Sequence, residues 1–392
     1  MTQDIAIIGA KRTAIGSFQG QFDKVPATDL GAAAIRAAIE QSGIKGEDVS
    51  EVFMGCVLPA GLGQAPARQA SLGAGVPLAA GCVTINKVCG SGMKAMMIGA
   101  DLLNAGSADV VVAGGMENMS AAPYLLPKAR GGYRMGHGEI LDHMFYDGLQ
   151  NPYDKQMMGH FAEQCVDKYS FSREEQDEFA AESVRRANKA MESGHFAAEI
   201  TPVTIKTRKG EITVDTDEEP PSCNIEKIPS LRPAFKKDGS VTAANASKIS
   251  DGAAATVLMR LDDAKAKNLN VLGRIVAHAG HAQEPEWITT APVGAMQKVL
   301  EKAGWKAEDV DLFEINEAFA AVSMAAIREL KLDPAKVNIH GGACALGHPI
   351  GASGARIAVT LLHALRAAGK KRGVASLCIG GGEAVAIAIE VD

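Results

Sequence analysis

Four short segments hold residue types able to carry nucleophilic or acid–base chemistry. In NKVCGSGMKA (86–95), Cys89 precedes a glycine-bracketed turn and a run in which Met93, Met96, Ala100 and Leu103 recur at helical spacing. The preceding VTIN reads as a strand, which places Cys89 at a helix N-terminus. Free N–H groups and the helix dipole there predict a thiol pKa below its ordinary value. Gly90 and Gly92 let the backbone come close to a ligand. Alone, the segment fits a packing cysteine as well as a nucleophile, or a phosphate-binding turn lacking the Lys-Ser/Thr of a P-loop.

The second segment, HGGACALGHPIGASGAR (340–356), places His348 in a Gly/Pro-rich loop before a helix. Such an imidazole is a base or simply a loop residue. His340 and Cys344 lie nearby, but three ligands without a fourth make a poor zinc set, and no metal is expected. The third, SLCIGGGEA (376–384), ends an apolar strand at Cys378 and opens a triple-glycine turn. Its amides at Gly380 to Gly382 fit an anion pocket of the kind an oxyanion requires. The fourth, FEINEAFAA (313–321), sets Asn316 and Glu317 between an apolar strand and a helix, facing the crevice where α/β proteins bind ligands. Asn316 is equally well read as that helix's N-cap.

These segments need a scaffold. Short apolar strands such as DIAIIGA, DVVVAGG and VASLCIGGG alternate with Ala-rich helices, predicting α/β layers around buried, largely parallel sheets. EQSGIKGEDVSEVF (40–53) returns as EKAGWKAEDVDLFE (301–314), an offset of 261 positions. Ser91–Gly92 returns as Ser353–Gly354 at an offset of 262. Two matches in the same order imply a duplicated α/β half. The expected organisation is a first half over 1–118, completed by about 248–270, a loop domain inserted over 119–247, and a second half over 271–392. The insertion is richer in aromatics, Met, Pro and charge, and suits substrate recognition. Its helix SREEQDEFAAESVRRANKAMESG has Ser172 as N-cap and Gly194 as stop, and a charged hairpin-like piece follows.

Apolar residues make up 47% of the 392 residues and charged ones 22%, an ordinary globular balance. A net charge of −6 with no long basic run excludes nucleic acid as an expected partner. Seven cysteines, at 56, 82, 89, 165, 223, 344 and 378, with no C-x-x-C, point to reduced thiols and a cytoplasmic location. MTQDIAIIGA reads as a first strand and not a signal peptide, and no window suggests a membrane span.

Together, NKVCGSGMKA, NEAFA, GHPIGASGAR and CIGGG resemble the thiolases, in the order and spacing of their short-chain acetyl-CoA C-acetyltransferases. The resemblance runs from RTAIGSF to the last strand and includes LRPAFKKDGSVTAANASKISDGAAA. It implies a five-layer αβαβα fold of two duplicated halves with an inserted loop domain. It implies reversible Claisen condensation of two acetyl-CoA to acetoacetyl-CoA and CoA, by a ping-pong route through acetyl-Cys89. The alternative within the family is a broader-range 3-ketoacyl-CoA thiolase of acyl-CoA degradation.

Transferred motif by motif, Cys89 is the acyl acceptor, His348 its activating base, and Cys378 the acid/base at the α-carbon. Asn316 holds a water that completes one oxyanion hole with His348, and the amides of Cys89 and Gly380 form the other. Leu149, Met158, Phe235, Ala243, Ser247, Ala318 and Phe319 are the implied CoA contacts. CoA is substrate and product, no cofactor is needed, and a homotetramer built as a dimer of dimers is implied. Two departures bear on CoA: Met157-Met158-Gly159 stands where relatives often have HMG, and DEEPPSCNIEKIPS lacks a basic residue many place near the adenine and phosphates. A β-ketoacyl synthase is disfavoured by the CIGGG cysteine and NEAF, and a non-catalytic CoA- or lipid-binding scaffold by the presence of Cys89, His348 and Cys378. A redox-sensing protein would require Cys89 and Cys378 to come within disulfide reach.

Overall fold

The computed structural model describes residues 4–208 and 210–392, so Met1–Gln3 of the first-strand segment and Lys209 of the hairpin-like piece lie outside the described residues. The chain runs β1 (Ile5–Arg12), β2 (Gly16–Ser17), α1 (Ala27–Ser42), β3 (Glu51–Gly55), α2 (Pro66–Gly73), β4 (Gly81–Ile85), α3 (Ser91–Ala105) and β5 (Val110–Asn118). Then come β6 (Tyr124–Leu125), β7 (Leu141–Asp142), a π-helical turn (Met144–Leu149), α4 (Met158–Tyr169), α5 (Arg173–Glu192), β8 (Val203–Thr207) and β9 (Gly210–Val214). It continues with β10 (Ser250–Arg260), α6 (Leu261–Ala266), β11 (Gly273–Ala282), α7 (Ala291–Ala303), β12 (Leu312–Ile315) and α8 (Ala320–Leu330), and ends with α9 (Ala343–Leu346), α10 (Ile350–Ala368), β13 (Arg372–Ile379) and β14 (Glu383–Glu390).

The sequence echo is a structural one. α1 and α7 each stop at a left-handed glycine, Gly43 and Gly304; each is followed by a single 3₁₀ turn, then by β3 or β12. The sheet order β4-β3-β5-β10-β1-β11-β14-β13-β12 repeats one half's order in mirror sequence about the β1–β11 seam, where only Ile5–Ile7 pair with Gly273–Ile275. The largely parallel sheet expected from the apolar runs is not what forms. β3 pairs in parallel with β4 and β5, and β12 with β13, but the remaining ladders of this sheet are antiparallel. Each half ends in a strand that returns beside its predecessor. Burial by helices on both faces, not parallel pairing, made these strands read as continuous apolar runs.

Those faces define five layers. α1 and α2 pack under β1, β3, β5 and β10 through Leu30, Ile35, Val52 and Val257. α3 and α10 fill the centre, with Met93, Met96, Ile357 and Leu361 between Val111 and Leu258 on one side and Leu377 and Ile387 on the other. α7 covers the outer face of β11, β13 and β14 through Met296 and Val299. The two central helices touch along glycine: a Cβ on Gly92 would lie 2.9 Å from the Ala355 nitrogen, and one on Gly354 2.5 Å from that of Met93. Only glycine permits this approach, and it sets the α3 and α10 N-termini side by side.

The inserted segment is tied back by buried charge. Arg12, at the end of β1, donates to both carboxylate oxygens of Asp217 at 2.7 and 2.9 Å and to Glu199 at 2.5 Å. Ser172 caps α5 in a reciprocal capping box with Glu175, as the sequence predicted, and Gly194 follows the helix in a left-handed conformation.

Candidate active site

β4 ends at Ile85 and α3 begins at Ser91, so Cys89 sits in the turn just ahead of the helix N-cap, Gly90. The Lys87 N–H donates to Ser91 Oγ at 2.8 Å, and that hydroxyl donates to the Val88 carbonyl at 2.6 Å. This closure holds Val88 at φ 44°, a left-handed conformation that a β-branched residue adopts at a cost of about 1–3 kcal/mol. The strain lies immediately before the candidate nucleophile, where the turn must be rigid to aim it.

The amides of Gly380 and of Cys89 itself both hydrogen-bond the Cys89 sulfur. A second tether crosses the same gap, an ion pair between Lys87 and Glu383 at the far end of the triple-glycine turn. The expectation of a lowered thiol pKa fails. Burial pushes the Cys89 thiol up to about 11; the two amides oppose the shift, and the Glu117 carboxylate adds to it. Loss of solvent outweighs two N–H dipoles, so the resting group is a thiol and needs a base.

His348 offers an imidazole in the neutral form that a base requires. It is 5% exposed, and burial, aided by the Arg356 guanidinium, pulls its pKa down to about 3, leaving the ring neutral. Ser353 Oγ donates to the Pro349 carbonyl at 2.9 Å, so its lone pair receives Nδ1–H at 2.5 Å. That assignment of protons leaves Nε2 as the bare acceptor. The His348 amide is fixed in turn by the Lys248 carbonyl at 3.0 Å. The Asn316 side-chain nitrogen stands 3.4 Å from Nε2, and among the described residues Asn316 Oδ1 has no hydrogen-bond partner. Asn316 is not a helix cap: α8 begins at Ala320 with Phe319 at its N-cap, and Asn316–Phe319 form an irregular loop instead.

Cys378 is 2% exposed and packs with Phe319, Ala318 and Met158. Burial, followed by the neighbouring Cys89 sulfur, holds its thiol well above the usual range. A Cβ added at Gly380 would touch Met158 Sδ and Val88 Cγ1, both at 3.6 Å, which fixes how closely the two turns face.

Glu117 escaped the sequence reading, although a lone carboxylate inside the apolar run VVVAGGMEN was a visible signal. It is fully buried at the end of β5 and accepts from the amides of Val57, Leu58 and Gly351 at 2.9–3.1 Å. It thus clamps the loop after β3 to the first turn of α10, two residues beyond the His348-Pro349 pair. Burial pushes its carboxyl up to about 7, with these amides opposing. The folded chain therefore keeps a proton that the unfolded chain has lost, and unfolding becomes easier as pH rises from the unfolded value near 4.3 toward about 7. Glu117→Gln is expected to flatten that decline by up to about 1.4 kcal/mol per pH unit, read by urea denaturation at about pH 5, 6 and 7. An unchanged slope would assign the titration to another group.

A mostly apolar cavity of ≈ 390 Å³ reaches from the surface to His348 and Ile350. Six of the seven anticipated CoA contacts line it: Leu149, Met158, Phe235, Ala243, Ser247 and Phe319. Ala318 does not; it is 8% exposed behind the wall, where its carbonyl accepts the Ser247 amide at 2.9 Å. Phe235 lies over Gly159 and meets Phe319 edge to face at 6.0 Å. Glu219 and Lys248 are the charged residues in the lining.

A half-buried thiol under two amides, a neutral imidazole with a bare nitrogen, a buried second thiol and an apolar channel form one site between two duplicated α/β halves. The family models for the thiolase N-terminal and C-terminal domains match residues 5–262 and 269–391, and the chain belongs to the thiolase family. It is 52% identical over the full length of both chains to an acetyl-CoA acetyltransferase of Pseudomonas aeruginosa, and 50% identical, over 99% of each chain, to one of Cupriavidus necator. The crystal structure of the Bacillus anthracis acetyl-CoA acetyltransferase superposes with a TM-score of 0.97 at 44% identity, covering 100% of this chain and 99% of that one.

Proposed function

We propose that this thiolase is an acetyl-CoA C-acetyltransferase, joining two acetyl-CoA into acetoacetyl-CoA and CoA and running in reverse as a thiolysis. The observation that carries the reading is the convergence of the Cys89 and Gly380 amides on the Cys89 sulfur. Donors placed there meet the oxygen of any carbonyl the sulfur attacks.

His348 Nε2 takes the Cys89 thiol proton as the sulfur adds to the acetyl carbonyl, and the two amides hold the resulting oxyanion. Collapse expels the CoA thiolate, which recovers the proton and leaves, with acetyl-Cys89 remaining. A second acetyl-CoA follows. Cys378 passes its proton to His348 Nε2 and, as thiolate, removes the α-proton, while the new Nε2–H and a water on the open Asn316 Oδ1 steady the enolate oxygen. The carbanion attacks acetyl-Cys89, acetoacetyl-CoA departs, His348 returns its proton to the Cys89 sulfur, and Cys378 keeps the α-proton as a thiol. The burial that keeps Cys378 protonated at rest makes its thiolate a strong base, as a weakly acidic carbon requires. CoA is carrier and leaving group, and the scheme uses no cofactor.

The cavity's Met157, Met158, Phe235 and Phe319 support a short acyl group. Exposed Leu126, Met135 and Ile140 beyond β6 suit contacts of a homotetramer, and the unpaired cysteines suit a cytoplasmic enzyme. The test is a thiolysis assay with CoA and 3-ketoacyl-CoA of increasing chain length. Parallel double-reciprocal plots and a preference for acetoacetyl-CoA are expected. Faster turnover of long chains would assign the chain to a broader-range thiolase, and intersecting plots would remove the acyl-enzyme.

A further inference from the structure

The wall of the cavity that carries Ala243 and Ser247 has no regular secondary structure between Val241 and Ile249, yet it has to keep its shape against a flexible ligand. Part of it is zipped to the Asn316 loop: Ser247 donates to the Ala318 carbonyl at 2.9 Å, and Ala320 to that of Asn245 at 2.8 Å. The carbonyls of Ala243, Ala244 and Ala246 point elsewhere, and among the described residues no backbone amide donates to them. They converge on a single donor, the Lys248 ammonium, at 2.6, 3.4 and 3.4 Å. An ammonium has three N–H donors and no acceptor, the complement of three carbonyls. Without it, their dipoles repel at the edge of an apolar channel, and water reaches the buried Ala244 and Ala246 poorly, although Ala243 is exposed. The same residue's carbonyl accepts the His348 amide at 3.0 Å and the Ser250 hydroxyl at 3.0 Å.

We propose that Lys248 is a positioning residue for the acyl-CoA channel: its ammonium acts as an internal cation that folds residues 243–247 into the wall against which the pantetheine arm of the substrate lies. The proposal rests on the acyl-CoA reading above. Its cation is directed at backbone oxygens and not at a carboxylate, so it shapes the wall without touching the reacting atoms.

The test is steady-state thiolysis of acetoacetyl-CoA by Lys248→Ala and Lys248→Met enzymes, beside wild type. Both are expected to raise the KM for CoA thioester and CoA by about tenfold while kcat stays within about threefold, because hydrogen bonds to a charged donor are lost from binding geometry only. Lys248→Ala removes three methylenes and the ammonium and leaves a void that a smaller ammonium can enter, so methylammonium is expected to lower its KM toward wild type. Tetramethylammonium at equal ionic strength has no N–H and is expected to do nothing. Lys248→Met fills the void with an apolar stem and is expected to resist rescue.

A Lys248→Met enzyme with wild-type KM overturns the proposal, since the stem and not the charge would then shape the wall. So does a Lys248→Ala defect that methylammonium leaves unchanged, or that both cations relieve equally. If Lys248→Ala does not fold, Lys248→Met is read alone by its KM. Failure of both to fold would place the ammonium in the scaffold and also overturn the proposal. An inactive wild type defeats the acyl-CoA reading instead, which keeps the two failures apart.

Discussion

Cys89→Ala protein incubated with radiolabelled acetyl-CoA is expected to carry no acid-stable label, and its thiolysis of acetoacetyl-CoA to fall by about 10⁴-fold or more. Cys89 is half-buried in a turn whose conformation is set by the Ser91 hydroxyl and the strained Val88, and neither depends on the Cys89 sulfur. Removing one sulfur atom from that position is therefore expected to move stability by no more than about 1 kcal/mol, a change that leaves the folded population intact. Cys89→Ser separates two explanations of inactivity. An alcohol in the same place keeps the shape but is far less acidic than a thiol. It is expected to be nearly as inactive as the alanine variant, because His348 is a weak base with its pKa pulled down to about 3. Label retained on Cys89→Ala would show that another residue accepts the acetyl group and would remove the mechanism above.

The type of each residue in this constellation could be read directly, because chemistry was concentrated in short glycine-rich segments at strand ends. The strand before Cys89, the helix after it and the cap at Ser172 followed from local periodicity and side-chain hydrogen bonding, which act over a few residues. What could not be read depends on distant partners. The Glu117 carboxylate meets Gly351, 234 positions away; the carbonyls that Lys248 reaches are only two to five positions away, but no propensity encodes their direction. The rise of the Cys89 pKa has the same origin: helix position suggested a thiolate, but the burial that decides the matter comes from clusters that include Ile350 and Ile379 of the other half, and the Glu117 charge adds to it. Sheet polarity was misread because strands buried on both faces look alike whether their neighbours run with or against them. The duplication was legible only as two short echoes, since most of each half diverged while keeping apolar positions.

Cys378→Ala is expected to divide the reaction at its midpoint. In the proposed mechanism the Cys89 and Gly380 amides hold the first oxyanion and His348 is the base for the first step, so acetylation from acetyl-CoA is expected to reach close to one label per chain. Condensation, and thiolysis of acetoacetyl-CoA, are expected to fall by about 10²–10⁴-fold, the usual worth of a positioned acid or base. Exchange of solvent deuterium into the methyl group of acetyl-CoA isolates the missing event, and the variant is expected to show none above background. Cys378 is 2% exposed among Phe319, Ala318 and Met158, so its loss leaves a small cavity of the size of one sulfur atom, costing about 1 kcal/mol. The substitution also removes the second thiol of the site, whose pKa the Cys89 sulfur raises. Alkylation of Cys89 by iodoacetamide in Cys378→Ala therefore reads Cys89 alone, and its rate is expected to rise with pH toward about 11 as burial dictates. A variant that acetylates slowly and exchanges deuterium normally would exchange the roles assigned to the two cysteines.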